Sequence, residues 1–169
     1  MGFETEQLVK LKEPKYALVI KAVLIIACVL AATTIPQTGS FGIIVLALFV
    51  VATVFVFEYY NAELEYLIVD DMLSVDRIMA KSMRRKCGVY TLSRATLVAR
   101  ADSNDALRIN SSMNLKTTDY SAGASNHDSV VICAYNEHNE LERIFIYPNE
   151  KILEAIKEVV DKNVYKVDL

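Results

Sequence analysis

The chain contains 169 residues, 53% of them hydrophobic, and carries a formal net charge of −3 at pH 7. This acidic balance argues against general nucleic-acid binding, which needs a basic surface. Cys28, Cys87 and Cys133 form neither a CxxC pair nor a Cys/His cluster. The sequence therefore predicts no zinc or other metal site, no disulfide framework and no cofactor, and reduced thiols fit a cytosolic face.

Two apolar runs follow residues 1–15, which are interpreted as a cytoplasmic segment. The runs cover residues 16–35, where Lys21 is the only charge, and 41–57, where there is none. Each is close to the ~20 residues that a helix needs to cross ~30 Å of hydrocarbon. The breakers Pro36 to Ser40 predict a turn between them. Residues 16–60 are thus predicted to form a transmembrane helical hairpin. A cleaved signal peptide is the alternative for the first run, but a second span follows directly.

The distribution of basic residues predicts the orientation of this hairpin. Lys10, Lys12 and Lys15 precede the first span, a basic cluster follows the second, and the turn is uncharged. Positive residues favour the cytoplasmic side, so both termini are predicted inside, in a multi-pass protein of the cell (plasma) membrane.

Three residues inside the first span allow further interpretations. Lys21 is either a binding or ion-coupling residue or one that snorkels to the interface, and we favour snorkelling because it lies near the helix end. Ala27 and Ala31 stand four apart and would let another helix approach closely.

Alternating and apolar segments after the spans predict a mainly-β domain over residues 61–169. Strands are expected at 63–69, 72–80, 87–92 and 95–101, with a turn at Asp70-Asp71 and a short helix at 71–79 as an alternative. The polar stretch 102–129 is expected to hold loops around short strands at 106–109 and near 115–120. A hairpin is predicted from strands at 130–135 and 141–147. Asn149 is expected to cap a C-terminal amphipathic helix.

This order of elements predicts a small barrel or sandwich of six or seven antiparallel strands, covered by the C-terminal helix. It resembles the pleckstrin-homology-like (PH-like) fold. The run LEYLIVDDMLSVDRI at 64–78, followed by basic residues, resembles an uncharacterised family of two-span membrane proteins from Gram-positive bacteria. Its members typically show LEYEY, then G-x-L-x-ID-x-I and K-x-x-RK, and this chain has Asp71 where they tend to have glycine. The resemblance implies a bacterial PH-like domain and no particular chemistry.

Residues that could carry catalysis are few. The carboxylates Asp70, Asp71 and Asp76 are candidates for acid/base work or a cation site, but Asp70-Asp71 is interpreted mainly as a turn. His127 beside Asp128 would suit a catalytic pair, but the sequence shows no GxSxG, HExxH, P-loop or GxGxxG motif. We therefore expect no enzymatic activity.

A basic cluster is the strongest functional candidate, and its members are Arg77, Lys81, Arg84, Arg85 and Lys86. Beneath a bilayer it would attract anionic headgroups or an acidic protein partner. The alternative is a solvated strand edge whose charge discourages aggregation. The sequence thus predicts a membrane-anchored module that binds protein, peptide or anionic lipid. The alternative function is an accessory subunit of a larger membrane complex, recognised through its helices.

Overall fold

The computed structural model describes residues 4–79, 83–112 and 115–167, with the side chains of 109–112 left out. These residues form two compact units. One unit contains the helical segment Glu13–Ala62. The other combines the N-terminal segment through Lys12 with Glu63–Ile78 and the chain that follows Arg84.

The helical unit is a hairpin of two long helices, α1 (Lys15–Thr38) and α2 (Ser40–Tyr60). Both predicted spans are therefore helical. The predicted turn at Pro36 to Ser40 is shorter than expected, because Gly39 alone joins the helices with a φ of 59°. Pro36 lies in the last turn of α1, so the N–H donor that it lacks and any bend that it causes fall at the end of the helix.

The helices pack along a narrow seam. Most of the less exposed residues of α1 recur every three or four positions, namely Ala17, Lys21, Leu24, Cys28, Ala31 and Ile35, with Ala27 beside Cys28. This spacing is typical of left-handed helix pairs. Gly42 of α2 allows the close approach, since a Cβ there would lie 2.3 Å from Thr38 Oγ1 and 3.1 Å from Ile35 Cα.

Outside the seam, the helices present apolar side chains that no described residue covers. Only 6% of the most apolar window of each helix is buried. The side chain of Lys21 runs back toward the start of α1, where Nζ lies 2.6 Å from Glu13 Oε2 and 5.1 Å from the centroid of the Phe57 ring. This is the geometry that snorkelling predicts.

The second unit is a mainly-β domain, as predicted. Among the described residues its elements are β1 (Glu4–Lys10), β2 (Glu63–Val69), β3 (Met72–Met79), β4 (Met83–Thr91), a 3₁₀ turn (Leu92–Arg94), β5 (Leu97–Arg100), α3 (Asn104–Ser112), β6 (Lys116–Tyr120), β7 (Val130–Asn136), β8 (Leu141–Ile146), α4 (Glu150–Val159) and β9 (Tyr165–Lys166).

The strands form one sheet, and hydrogen-bonded neighbours follow the order β1-β2-β3-β4-β7-β5-β9. β8 also pairs with β7, and β6 pairs with β8. The prediction of six or seven strands was too low, because β1 and the short β9 also join the sheet. Not all pairs are antiparallel: β6 runs parallel to β8, and β9 runs parallel to β5. The helical hairpin leaves the sheet after β1 and returns to it at β2, the strand with which β1 pairs over seven residues.

Two helices of this domain begin at side-chain caps. Asn149 Oδ1 accepts a hydrogen bond from Ile152 N at 2.9 Å, which confirms the predicted start of α4. The prediction of a strand at 106–109 was wrong, since these residues lie in α3. Ser103 Oγ accepts from Ala106 N at 3.2 Å and Asp105 lies in the first turn, so local capping favours a helix there.

The core lies between the inner face of the sheet and α4. Its largest fully buried side chains are Tyr66, Ile68, Leu73, Tyr90, Leu92, Ile132, Ile144, Ile146, Ile152 and Ile156. The turn that the sequence predicted at Asp70-Asp71 is present between β2 and β3, and Asp70 has a φ of 53° there. The carboxylate of Asp71 accepts a hydrogen bond from Ser93 Oγ, which gives this residue a structural role.

Candidate functional site

The predicted basic cluster lies on β3 and β4. Arg77 is on β3, opposite Leu64 in the register with β2, and its Nε is buried with no hydrogen-bond partner in the described part of the chain. Lys81 falls outside the described residues. Arg84, Arg85 and Lys86 lie in the exposed first half of β4.

Two residues of this cluster are already paired with carboxylates of the domain. Arg84 Nη1 lies 2.8 Å from Oε2 of the buried Glu65, and Lys86 Nζ lies 2.8 Å from Glu137 Oε2. The hydrogen bond from Lys86 lowers the pKa of Glu137. Arg85 is exposed and forms no ion pair with any described residue. The positive surface is therefore weaker than the count of basic residues suggests.

A second constellation, which sequence reasoning missed, surrounds Glu142 on β8. Its side chain is only 4% exposed, and three groups donate to it: Lys116 Nζ at 2.6 Å, Asn136 Nδ2 at 3.0 Å and Tyr90 OH at 3.1 Å. Burial by itself raises the pKa of Glu142, but these hydrogen bonds outweigh it, so that pKa lies below the ordinary value.

Tyrosine hydroxyls extend this network into the core. Tyr90 OH lies 3.3 Å from Tyr120 OH, and Tyr120 OH donates to Cys87 O at 3.2 Å. Tyr66 OH donates to Tyr120 O, and burial raises the pKa of Tyr66 to about 12. Tyr90 folds back over Gly88, where a Cβ would lie 2.7 Å from the Tyr90 hydroxyl. The absence of a side chain at Gly88 therefore lets Tyr90 reach Glu142.

This network lines an open cavity of about 290 Å³. Its wall comes from β4, β6 and the β7–β8 turn, and it includes Cys87, Thr118 and His138. One signal in the sequence pointed to the site. The alternation of β8 places Glu142 on the same inward face as Ile144 and Ile146, where a carboxylate needs partners.

His127 and Asp128, which the sequence analysis considered and set aside as a catalytic pair, do not contact each other through their side chains. His127 Nδ1 lies 2.9 Å from Asp102 Oδ2, while Asp128 accepts a hydrogen bond from Ser125 Oγ at 2.6 Å. Arg100 Nη2 also contacts His127, donating to its carbonyl at 2.6 Å. The side chain of His127 is 74% exposed, so this cluster is a surface ion-pair network that holds the loop before β7. In the described residues no group of three or more His, Cys, Asp or Glu has a geometry that could hold a metal ion.

Comparison with known proteins gives a family match over nearly the whole chain. The family described as "Bacterial PH-like domain (DUF6106)" matches residues 3–166, a range that includes β1 and both apolar helices. No curated protein matches significantly. No solved structure does either.

Proposed function

The chain belongs to the family of bacterial PH-like domains, and we propose that it is a membrane-anchored interaction module whose PH-like domain lies at the cytoplasmic face. One observation carries this proposal: the apolar hairpin is inserted between two strands that pair with each other. The hairpin leaves the sheet at Lys10 and returns at Glu63, and these residues are direct partners in the register of β1 and β2.

The surface of the hairpin supports its insertion into a bilayer. Leu18, Leu48 and Phe55 are each about 70% exposed, and similar side chains cover the outward faces of both helices. Burying a side chain of this size in an apolar medium contributes about 1.5–3 kcal/mol. A helix of a water-soluble core would bury this face against its own chain, whereas lipid covers it without any further protein.

The pairing of β1 with β2 supports the same-side arrangement of both ends. A sheet cannot pair across hydrocarbon, because its backbone groups would lose their partners on the way. Both ends of the hairpin therefore lie on one side. Lys10, Lys12 and Lys15 at this end favour the cytoplasmic side.

Cysteine accessibility tests this topology in the full chain. Cys87 is exposed on β4, Cys133 is buried, and Cys28 lies within α1. A membrane-impermeant maleimide should label Cys87 in inside-out vesicles and not in right-side-out vesicles. In a Cys87→Ser background, Glu4→Cys should behave like Cys87, and Ser40→Cys beside the hairpin turn should show the opposite pattern. Labelling of Cys87 and Ser40→Cys from the same side contradicts the spanning hairpin.

For the binding partner, we propose anionic lipid headgroups at the exposed half of β4. The proposed headgroup contact depends mainly on Arg85, because Arg85 is exposed and, among the described residues, forms no ion pair like those of Arg84 and Lys86. Each basic residue near an anionic surface contributes about 1 kcal/mol.

Hydrogen exchange of β4 tests the lipid contact. With the full chain in nanodiscs, exchange over Met83–Thr91 should be slower in anionic lipid than in phosphatidylcholine. Arg85→Glu should remove this difference, whereas Lys162→Glu, an exposed charge change elsewhere, should keep it. Equal exchange of the wild-type chain in both lipids rejects the lipid contact and favours a protein or peptide partner.

In the accessory-subunit alternative the helices are the recognition element, with Ala27 and Ala31 at a helix interface. Ala31 is buried within the hairpin itself and Ala27 is half-buried, so Ala31 already has a packing role inside this chain. A membrane protein that copurifies at fixed stoichiometry would favour that alternative.

A further inference from the structure

We propose that the cavity above Glu142 binds a primary ammonium group, the side chain of a lysine from a partner polypeptide, and that Lys116 occupies this place in the isolated chain. The inference does not rest on the proposed lipid contact, since it concerns only the cavity formed by β4, β6 and the β7–β8 turn.

The carboxylate of Glu142 makes the site selective for a cation. Oε1 accepts from Lys116 Nζ and Asn136 Nδ2, and Oε2 accepts from Tyr90 OH. The side chain is 4% exposed. Removing the cationic partner of a buried carboxylate is strongly destabilising. An ammonium at this place is therefore favoured, whichever molecule supplies it.

Lys116 has the properties of a replaceable occupant. It lies opposite Glu142 in the register of β6 and β8, so its ammonium needs no long reach. Its side chain is nevertheless 71% exposed. Holding such a long, exposed side chain in one rotamer costs conformational entropy. An incoming ammonium would take over the contact with the buried carboxylate, so Lys116 can swing into solvent without leaving Glu142 unpaired.

The cavity has room for the incoming side chain. Its volume of about 290 Å³ lies at the lower end of pockets that hold small ligands, so it fits a side chain better than a nucleotide or a large headgroup. Thr118 and the rings of Tyr90 and Tyr120 line it, offering a hydroxyl and aromatic faces to an alkylammonium.

The cation that the structure already places on Glu142 is the template for the ligand. Asn136 and Tyr90 each donate to one oxygen of Glu142, and a single ammonium, that of Lys116, approaches Oε1 at 2.6 Å. A lysine from a partner polypeptide would present the same group in the same place.

The native thiol of Cys87 reports occupancy, because Cys87 is exposed and lines the same cavity. The full chain in phosphatidylcholine nanodiscs is alkylated with iodoacetamide, and mass spectrometry follows Cys87. Nα-acetyl-lysine amide should slow the reaction, whereas Nα-acetyl-norleucine amide, which has a similar alkyl chain and no charge, should not. Slowing by phosphoethanolamine alone would assign the site to a lipid headgroup and overturn the lysine assignment.

Two variants separate binding from a purely structural ion pair. Lys116→Met removes the internal ammonium and keeps a similar stem, so the concentration of Nα-acetyl-lysine amide that halves the rate should fall about tenfold. Glu142→Gln removes the charge and should abolish protection. If Lys116→Met does not fold, Lys116→Gln takes its place. The comparison of the wild-type chain with Glu142→Gln still shows whether protection of Cys87 requires the carboxylate. Unchanged alkylation of Cys87 in the wild-type chain and in the folded Lys116 variant overturns the proposal.

Discussion

The helical hairpin and the PH-like domain distribute their apolar residues in opposite ways. In the hairpin, Leu48 and Phe55 point outward, while small or weakly polar residues such as Ala31 and Thr53 lie toward the seam. In the domain, Ile68 and Ile144 are fully buried and the surface is charged. The two units thus expose opposite surfaces, and with the membrane insertion proposed above both would follow one physical rule: each would present to its surroundings the groups that those surroundings solvate.

Their polar groups differ in the range of their hydrogen bonds. Within the helices, Thr53 Oγ1 donates to Phe49 O and Thr38 Oγ1 to Thr34 O, four residues back along the chain. In the domain, Tyr90 donates to Glu142, which is 52 residues away. The hairpin therefore depends on local sequence, whereas the interior of the domain depends on contacts that only the completed fold creates.

The largest effect should come from truncating the same residue type in the two units. Ile144→Ala leaves a cavity in the fully buried core and should lower the free energy of unfolding by about 2–5 kcal/mol. Ile44→Ala removes the same atoms from a side chain that is 58% exposed and should leave domain stability unchanged. Urea denaturation of the full chain in mild detergent, followed by tyrosine fluorescence, measures both. Equal losses would show that Ile44 is also packed in protein.

The next effect concerns the close approach within the hairpin. Gly42→Ala places a Cβ 2.3 Å from Thr38 Oγ1, so the helices should separate at the turn at a cost of about 1–3 kcal/mol. The reporter is a disulfide between Cys28 and Thr53→Cys, since Cys28 Sγ lies 3.4 Å from Thr53 Oγ1. Gly42→Ala should slow its oxidation, and adding Thr38→Ala should partly restore it. Unchanged oxidation would mean that the seam adapts without strain.

A smaller effect is expected from one buried hydroxyl. Tyr66→Phe removes the donor to Tyr120 O and the acceptor of Tyr147 N, which should cost about 1–2 kcal/mol. Tyr147→Phe is the matched control, because the Tyr147 side chain is 41% exposed and its backbone makes the contact. The same urea titration compares them, and a loss as large in Tyr147→Phe would remove the special role of the buried hydroxyl.

The sequence predicted the elements whose signals are local. The apolar runs predicted both helices, and β2 at Glu63–Val69 has the bounds that its alternation indicated. β1 was missed, because ETEQLVK is largely polar and its partner strand lies beyond the whole hairpin. The prediction of a short strand at 106–109 was wrong, because it followed the alternation of residues and overlooked Ser103, which caps α3.

The candidate sites show the same limit. The basic cluster was visible as a run of charges, but Glu65 and Glu137, which neutralise two of its members, approach only after β4 pairs within the sheet. The cavity above Glu142 needs the parallel pairing of β6 with β8, which brings Lys116 beside the carboxylate. Local periodicity does not encode a parallel pair across 26 residues.

The smallest expected effect is the acid sensitivity of the domain interior, which differs from the apolar runs 16–35 and 41–57 in containing a buried carboxylate. The pKa of Glu142 is lower in the folded state than its ordinary value of 4.5. Its contribution to stability is therefore complete above that ordinary value and is lost as the pH falls through the folded-state pKa. Glu142→Gln should be less stable at pH 7. At acidic pH its free energy of unfolding should depend less steeply on pH, and the slope should fall by the equivalent of at most one proton. Urea titrations between pH 3 and pH 7 measure this slope. An acid limb that stays as steep in Glu142→Gln would assign it to other carboxylates, such as Asp102 and Glu137, whose pKa values are also lowered by hydrogen bonds to His127 and Lys86.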